Sequence, residues 1–157
     1  MTQRRVRVRP RIPNRSLANA FHQNARSFRA SALEMRSSNP HASEHFLAIA
    51  IELTLKSYHL RLGVTDDWNR RYLRHDSAKT LRFARRGGLK AHSVALANIA
   101  HLLGAPYQSG GFTRSSEALI SDRGWEVSTR AVTELFHAVE DADGAGAYDD
   151  MPVERKR

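Results

Sequence analysis

Along most of this chain apolar residues recur at spacings of three and four, the signature of amphipathic helix; alternation of the strand kind is confined to "RVRVR" near the N-terminus. From Ser16 to Arg36 one stripe is formed by Leu17, Phe21, Ala25, Phe28, Ala32 and Met35. "SSNPHASEHF" interrupts it at Pro40. A second helix is predicted from about Ser43 to Leu62, stopped by Gly63 as its C′ residue. Phe46, Ile49, Ala50, Leu53 and Leu60 line one side of it, and Leu47, Ile51, Leu55, Tyr58 and Leu62 another. A helix apolar on most of its circumference is a central one, packed on both sides. "TDDWN" reads as a loop. A third helix, Ala78 to Arg86, would be capped by Asp76 or Ser77 and stopped by Gly87–Gly88. A fourth spans His92 to Leu103 with Val94, Leu96, Ile99, Leu102 and Leu103, stopping before Gly104 and Pro106. A last helix, Trp125 to Ala142, carries Val127, Ala131, Leu135 and Val139, widened by Val132, Phe136 and Ala138. The expectation is an all-α protein, an antiparallel bundle of about five helices.

The ends differ from the middle. Residues 1–15 hold Arg4, Arg5, Arg7, Arg9, Arg11 and Arg15 without an acid, and Pro10 and Pro13 forbid a helix there. They read as a flexible basic arm. The helical domain covers residues 16–142. Residues 143–157 form a flexible tail, in which Asp143, Asp149 and Asp150 extend an acidic patch begun by Glu140 and Asp141. An Arg-rich start whose first acid is Glu34 also suits a targeting segment, but helical patterning from Ser16 onward favours the folded reading.

At 157 residues the chain can bury a core without metals or disulfides. It has no cysteine, which removes disulfides, thiol catalysis, zinc–thiolate sites and Fe–S clusters, and suits a cytoplasmic setting. The net charge of +9 attracts polyanions: nucleic acid, anionic lipid or an acidic protein. No apolar run is long enough for a bilayer; the longest, "FLAIAI", ends at Glu52, so no membrane partner is expected.

Charge concentrates in "WNRRYLRHDSAKTLRFARRGG", Trp68 to Gly88, with six arginines, one lysine, one histidine and the single acid Asp76. Upstream, Glu52 and Lys56 stand four apart on the central helix, the spacing of an ion pair. Glu52-Leu53-Thr54-Leu55-Lys56, the stop at Gly63, His75-Asp76 opening a short helix, Ala84 and Gly88-Leu89 together resemble the HEPN family of small helical-bundle domains. The likeness covers about Ser43 to Leu89. Two positions depart from it: Ser77 stands where leucine is usual, and the C-terminal part lacks the aromatic–arginine ending of the family.

The resemblance implies a HEPN-like fold, homodimerisation through the bundle, and association with RNA or nucleotides. Many members are metal-independent endoribonucleases, often toxins paired with an antitoxin or defence proteins, with an arginine followed after four to six residues by a histidine. Here Arg70 and His75 match that signature, although Arg71 stands where active members carry a small polar residue. In this reading Arg70 and His75 are catalytic: the histidine takes a proton from a ribose 2′-OH, and the arginine holds the scissile phosphate. No cofactor and no metal are required, because the 2′-OH is an internal nucleophile. Arg71, Arg74, Lys79, Arg82, Arg85 and Arg86 would bind the nucleic acid, with Trp68 and Tyr72 available to stack on a base. Glu52, Lys56 and Asp76 would support the site.

Each residue also has a structural reading. Asp76 and His75 can serve only to cap and pack the start of the third helix, and Glu52 and Lys56 can satisfy each other; alternatively Glu52 orients His75 or an arginine of the basic segment. Scattered histidines give no metal spacing: His41 and His45 lack a third ligand. A non-enzymatic helical module binding an acidic protein or a nucleotide is the other class of function. The placement of Arg70 and His75 in the fold discriminates the two.

Overall fold

The computed structural model describes residues 12–109 and 118–142. Among these residues all regular secondary structure is helical, with no strand. The elements are α1 (Arg15–Met35), α2 (Pro40–Arg61), the short α3 (Asp66–Trp68) running into a π turn (Asn69–Leu73), α4 (Ser77–Arg86), α5 (Val94–Ser109) and α6 (Asp122–Glu140). The expected bundle is present, with one short helix more than the periodicity predicts.

α1 and α2 form an antiparallel hairpin. Asn14 N–H donates to Leu60 O at 3.0 Å at one end, and Ser43 Oγ donates to Ala32 O at 2.6 Å at the other. Asn14 caps α1 and Asn39 caps α2, each accepting a backbone N–H at 3.0 Å. Arg15 is thus the first residue of α1, and the residues ahead of 12 lie outside the described part, as do 143–157. α2 begins at Pro40, three residues before the predicted Ser43, because a proline at N1 gives up a donor that no helix uses. The buried line of α1 is Ala18, His22, Ala25 and Ala32. Three of these are alanines spaced seven apart, and their small size brings the helix close to α2.

α6 runs antiparallel to α1. Arg29 donates to Thr133 Oγ1 at 2.6 Å, and Glu140 accepts from His22 at 3.0 Å and from Arg26. These bonds, His22's first, hold the Glu140 carboxyl below its ordinary pKa. At the opposite end a fully buried Glu44 accepts the backbone N–H groups of Leu119 and Ile120, both at 2.8 Å, and Arg36 at 3.3 Å.

α2 is the core of the molecule. Leu47, Ala48, Ala50, Ile51 and Leu55 are completely buried, together with Leu96, Ala100 and Leu103 of α5 and Val132, Leu135 and Val139 of α6. Leu53, expected on a buried face, is only partly buried, because burial falls on the rows containing Leu47, Ile51 and Leu55. Val94, Leu102 and Val127, placed in apolar stripes by their spacing, are exposed.

Two glycines end helices as anticipated. Gly63 (φ +82°) closes α2, with its N–H donating to Leu60 O at 3.2 Å and Val64 N–H to His59 O at 3.0 Å. Gly88 (φ +98°) repeats the arrangement after α4, with Gly88 N–H to Arg85 O at 3.1 Å and Leu89 N–H to Ala84 O at 3.0 Å. α5, by contrast, continues through Gly104 and Pro106 to Ser109 instead of stopping at Leu103. Gly104 lies against α4, where a Cβ would meet Ser77 N at 3.5 Å, so packing overrides the local stop signals.

Candidate functional site at the start of α4

The predicted "TDDWN" loop is a capped turn of helix. Thr65 Oγ1 accepts from Trp68 N–H at 3.2 Å, and the turn widens into the π turn, closed by Arg74 N–H to Asn69 O at 2.9 Å. Asn69 is completely buried, and its Oδ1 lies 3.1 Å from Nδ1 of His59 on α2. Burial holds His59 down to a pKa of about 4, so the imidazole is neutral at pH 7 and its Nδ1–H can donate to Asn69. This pair anchors the π turn to the core. The same strip carries a ladder of rings with centroid spacings of 5.1 Å (His59–Phe83), 4.6 Å (Phe83–Trp68) and 5.1 Å (Trp68–Tyr72).

Between the π turn and α4 the chain reverses over Leu73–Arg74–His75–Asp76. Asp76 N–H donates to Leu73 O at 3.0 Å, and Arg74 has φ +50° and ψ −120°. Those angles belong to the first central position of a type II′ turn, a place glycine takes without steric cost. Arg74 is the one non-glycine residue with positive φ among those described. Asp76 then caps α4, its Oδ1 accepting from Lys79 N–H at 2.8 Å.

His75 is therefore not the cap. Its Nδ1 lies 3.1 and 3.2 Å from the two carboxylate oxygens of Glu52, and Glu52 is ion-paired with Lys56 one turn along α2. The side chain of Glu52 is 5% exposed and that of His75 is 56% exposed. A buried carboxylate thus holds one nitrogen of a solvent-facing imidazole. With Nδ1–H donating to Glu52, the lone pair lies on Nε2, which makes Nε2 the atom able to accept a proton. Lys56 holds the same carboxylate from the other side of the turn.

The structure brings Glu52, Lys56 and His75 together. Arg70, the other member of the expected pair, has its Nε 3.4 Å from Asp66 and is 69% exposed; Arg71 pairs in the same way with Asp67 at 3.0 Å. Each lies four residues beyond its acid, on the outer side of the turn. Lys79 Nζ donates to Tyr72 O at 2.8 Å, tying α4 to the π turn. Arg85 is engaged inside the fold, donating to Ala91 O at 2.7 Å and Ser93 O at 3.1 Å, where it fastens the α4–α5 connection. Arg74, Arg82 and Arg86 are exposed. From Ser77 to Ser116 the sequence contains no acid, so α4 offers these cations no acidic neighbour downstream.

The chain matches no protein-family model, no curated protein and no solved structure. No group of three or more His, Cys, Asp or Glu among the described residues could hold a metal ion, and no helix among them is long and apolar enough to cross a membrane.

Sequence reasoning missed His59 and Asn69. Their signal was only a histidine in an apolar stretch and an asparagine after a tryptophan, which no spacing rule connects. It also missed the turn strain at Arg74, since nothing in "YLRHDS" advertises a positive φ.

Proposed function

We propose that this chain is a HEPN-like RNA-binding protein and a metal-independent endoribonuclease whose general base is His75. The observation that carries the reading is the pairing of a half-exposed imidazole with a buried carboxylate. Such an arrangement fixes tautomer and ring orientation, and it stabilises the imidazolium formed when Nε2 takes the proton of a ribose 2′-OH. The 2′-oxygen attacks the adjacent phosphorus, the 5′-oxygen leaves, and the imidazolium returns the proton to it. The products are a 2′,3′-cyclic phosphate and a 5′-OH. An arginine beside the phosphate stabilises the developing charge. Arg70 fills that role by exchanging Asp66 for the phosphate, and exposed Arg74 stands directly before His75. Toxin or defence duty and pairing of two chains through the bundle go with the family likeness.

The test is cleavage of single-stranded RNA in EDTA. His75→Ala should abolish cutting with the fold intact, Arg70→Ala should slow the chemical step, and Arg71→Ala should weaken binding only. A 2′-deoxy sugar at the scissile position should block the reaction. Cleavage that survives loss of His75 refutes the mechanism.

A second reading has its own observation. Because Arg70 is paired with Asp66 on a surface turn, the basic face can act without chemistry, as a module for an acidic protein or a nucleotide. RNA binding or acidic-protein binding without any cleavage is the result that favours it.

A further inference from the structure

We infer that Tyr72 is a base-stacking platform beside His75, so that the chain takes an unpaired nucleotide next to the phosphate it handles. This rests on the RNA reading above.

The ladder His59–Phe83–Trp68–Tyr72 begins at a completely buried ring and ends at one that is 41% exposed. Trp68 already covers Phe83, at 4.6 Å between centroids, so Tyr72 is not needed to seal the core. Its own contact with Trp68 is a tilted stack at 5.1 Å and 34°. A ring supported in this way from behind is pre-oriented, and a flat base adds to such a ladder with little ordering cost in the protein. The backbone beneath Tyr72 is fixed as well, since its carbonyl accepts from Lys79 Nζ and its neighbour Leu73 is buried.

Position adds the link to chemistry. Tyr72 precedes His75 by three residues, so their Cα atoms lie at most about 11 Å apart. Cations lie close by: Lys79 Nζ donates to the Tyr72 carbonyl at 2.8 Å, and exposed Arg74 is two residues on in the chain. Stacking is tolerant of base identity but requires an unpaired base, because in a duplex both faces are already covered. A duplex would meet only the charges.

The experiment measures binding of a single-stranded 2′-O-methyl oligoribonucleotide, which cannot be cut, and of the same sequence as a duplex. The proteins are wild type, Tyr72→Leu, Tyr72→Phe and His75→Ala. Leucine keeps an apolar cover over Trp68 but offers no π face. Tyr72→Leu should therefore bind the single strand roughly tenfold more weakly, with an unchanged far-ultraviolet spectrum. Tyr72→Phe should stay within about twofold of wild type. Duplex binding should be weaker and indifferent to the substitution. If Tyr72→Leu binds the single strand like wild type while His75→Ala abolishes cleavage of ordinary RNA, the platform is refuted and the RNA reading stands. If wild type binds no oligonucleotide, or polyglutamate displaces it as readily as RNA does, both fall together.

Discussion

Exchanging Arg74 for glycine should stabilise the protein, an unusual expectation for a residue in the middle of a candidate site. Arg74 holds φ +50° and ψ −120°, a conformation in which its Cβ crowds the backbone. Strain of this kind costs about 1–3 kcal/mol. Glycine removes it but makes the unfolded chain more flexible, which takes back about 0.4–1 kcal/mol. The arginine side chain is exposed, so little packing is lost with it. The net gain is about 1 kcal/mol, which in urea moves the midpoint up by about 0.5 M if m is about 2 kcal/mol/M. Arg74→Ala is the control: it discards the guanidinium but keeps the Cβ, and should stay within about 0.5 kcal/mol of wild type. If the glycine variant is no more stable than the alanine variant, the turn is not strained and its conformation has another cause. Both variants should lower the salt slope of RNA binding by about 1, because each removes one cation from the phosphate face.

The other predictions concern the core and the site's support. Leu55→Ala should cost about 2–5 kcal/mol in chemical denaturation and Leu53→Ala clearly less, because Leu55 is completely buried and Leu53 only partly; equal losses would mean that α2 is rotated from this placement. Glu52→Gln should cost about 3–5 kcal/mol by leaving Lys56 as a buried unpaired cation, and Glu52→Gln combined with Lys56→Met should recover much of that loss; no recovery would show that the pair is not the source. His59 is held at about 4 when folded and titrates near the ordinary imidazole value of about 6.5 when unfolded, so the unfolded chain binds a proton that the native one refuses. Stability relative to a His59→Gln variant should therefore fall by about 3 kcal/mol as the pH drops from about 6.5 to 4, and a pH-independent difference would contradict the burial of His59. Removing residues 2–11, with their five arginines, should lower the salt slope for single-stranded RNA by about 3, and an unchanged slope would mean that the arm does not touch the strand.

Much of the fold was legible because its signals are local. The spacing of apolar residues gives the long helices, Asp76 is a cap residue by its chemistry, and Gly63 and Gly88 stop helices because only glycine reaches a positive φ without cost; the caps Asn14 and Asn39 went unread. The places where local reading failed are places where a distant surface intervenes. α5 runs through Gly104 and Pro106 because α4 lies against it, and "TDDWN" coils because His59, ten residues before Asn69, binds its side chain. Leu53 and Leu55 both fall on apolar sides of α2 in the sequence and differ in which neighbour each row meets.

The candidate site divides in the same way. The sequence by itself determined that an acid and a lysine stand one turn apart on a central helix, and that a histidine precedes a capped helix in a basic segment, because helical periodicity and capping are properties of short stretches. Only the tertiary structure decided that the buried Glu52 reaches His75, 23 residues away, rather than Lys56 alone. That choice depends on how α2 and α4 pack and on the reversal at Arg74 between them. Pairing between residues far apart in the chain is set by the path of the backbone, and no spacing rule within either segment encodes it.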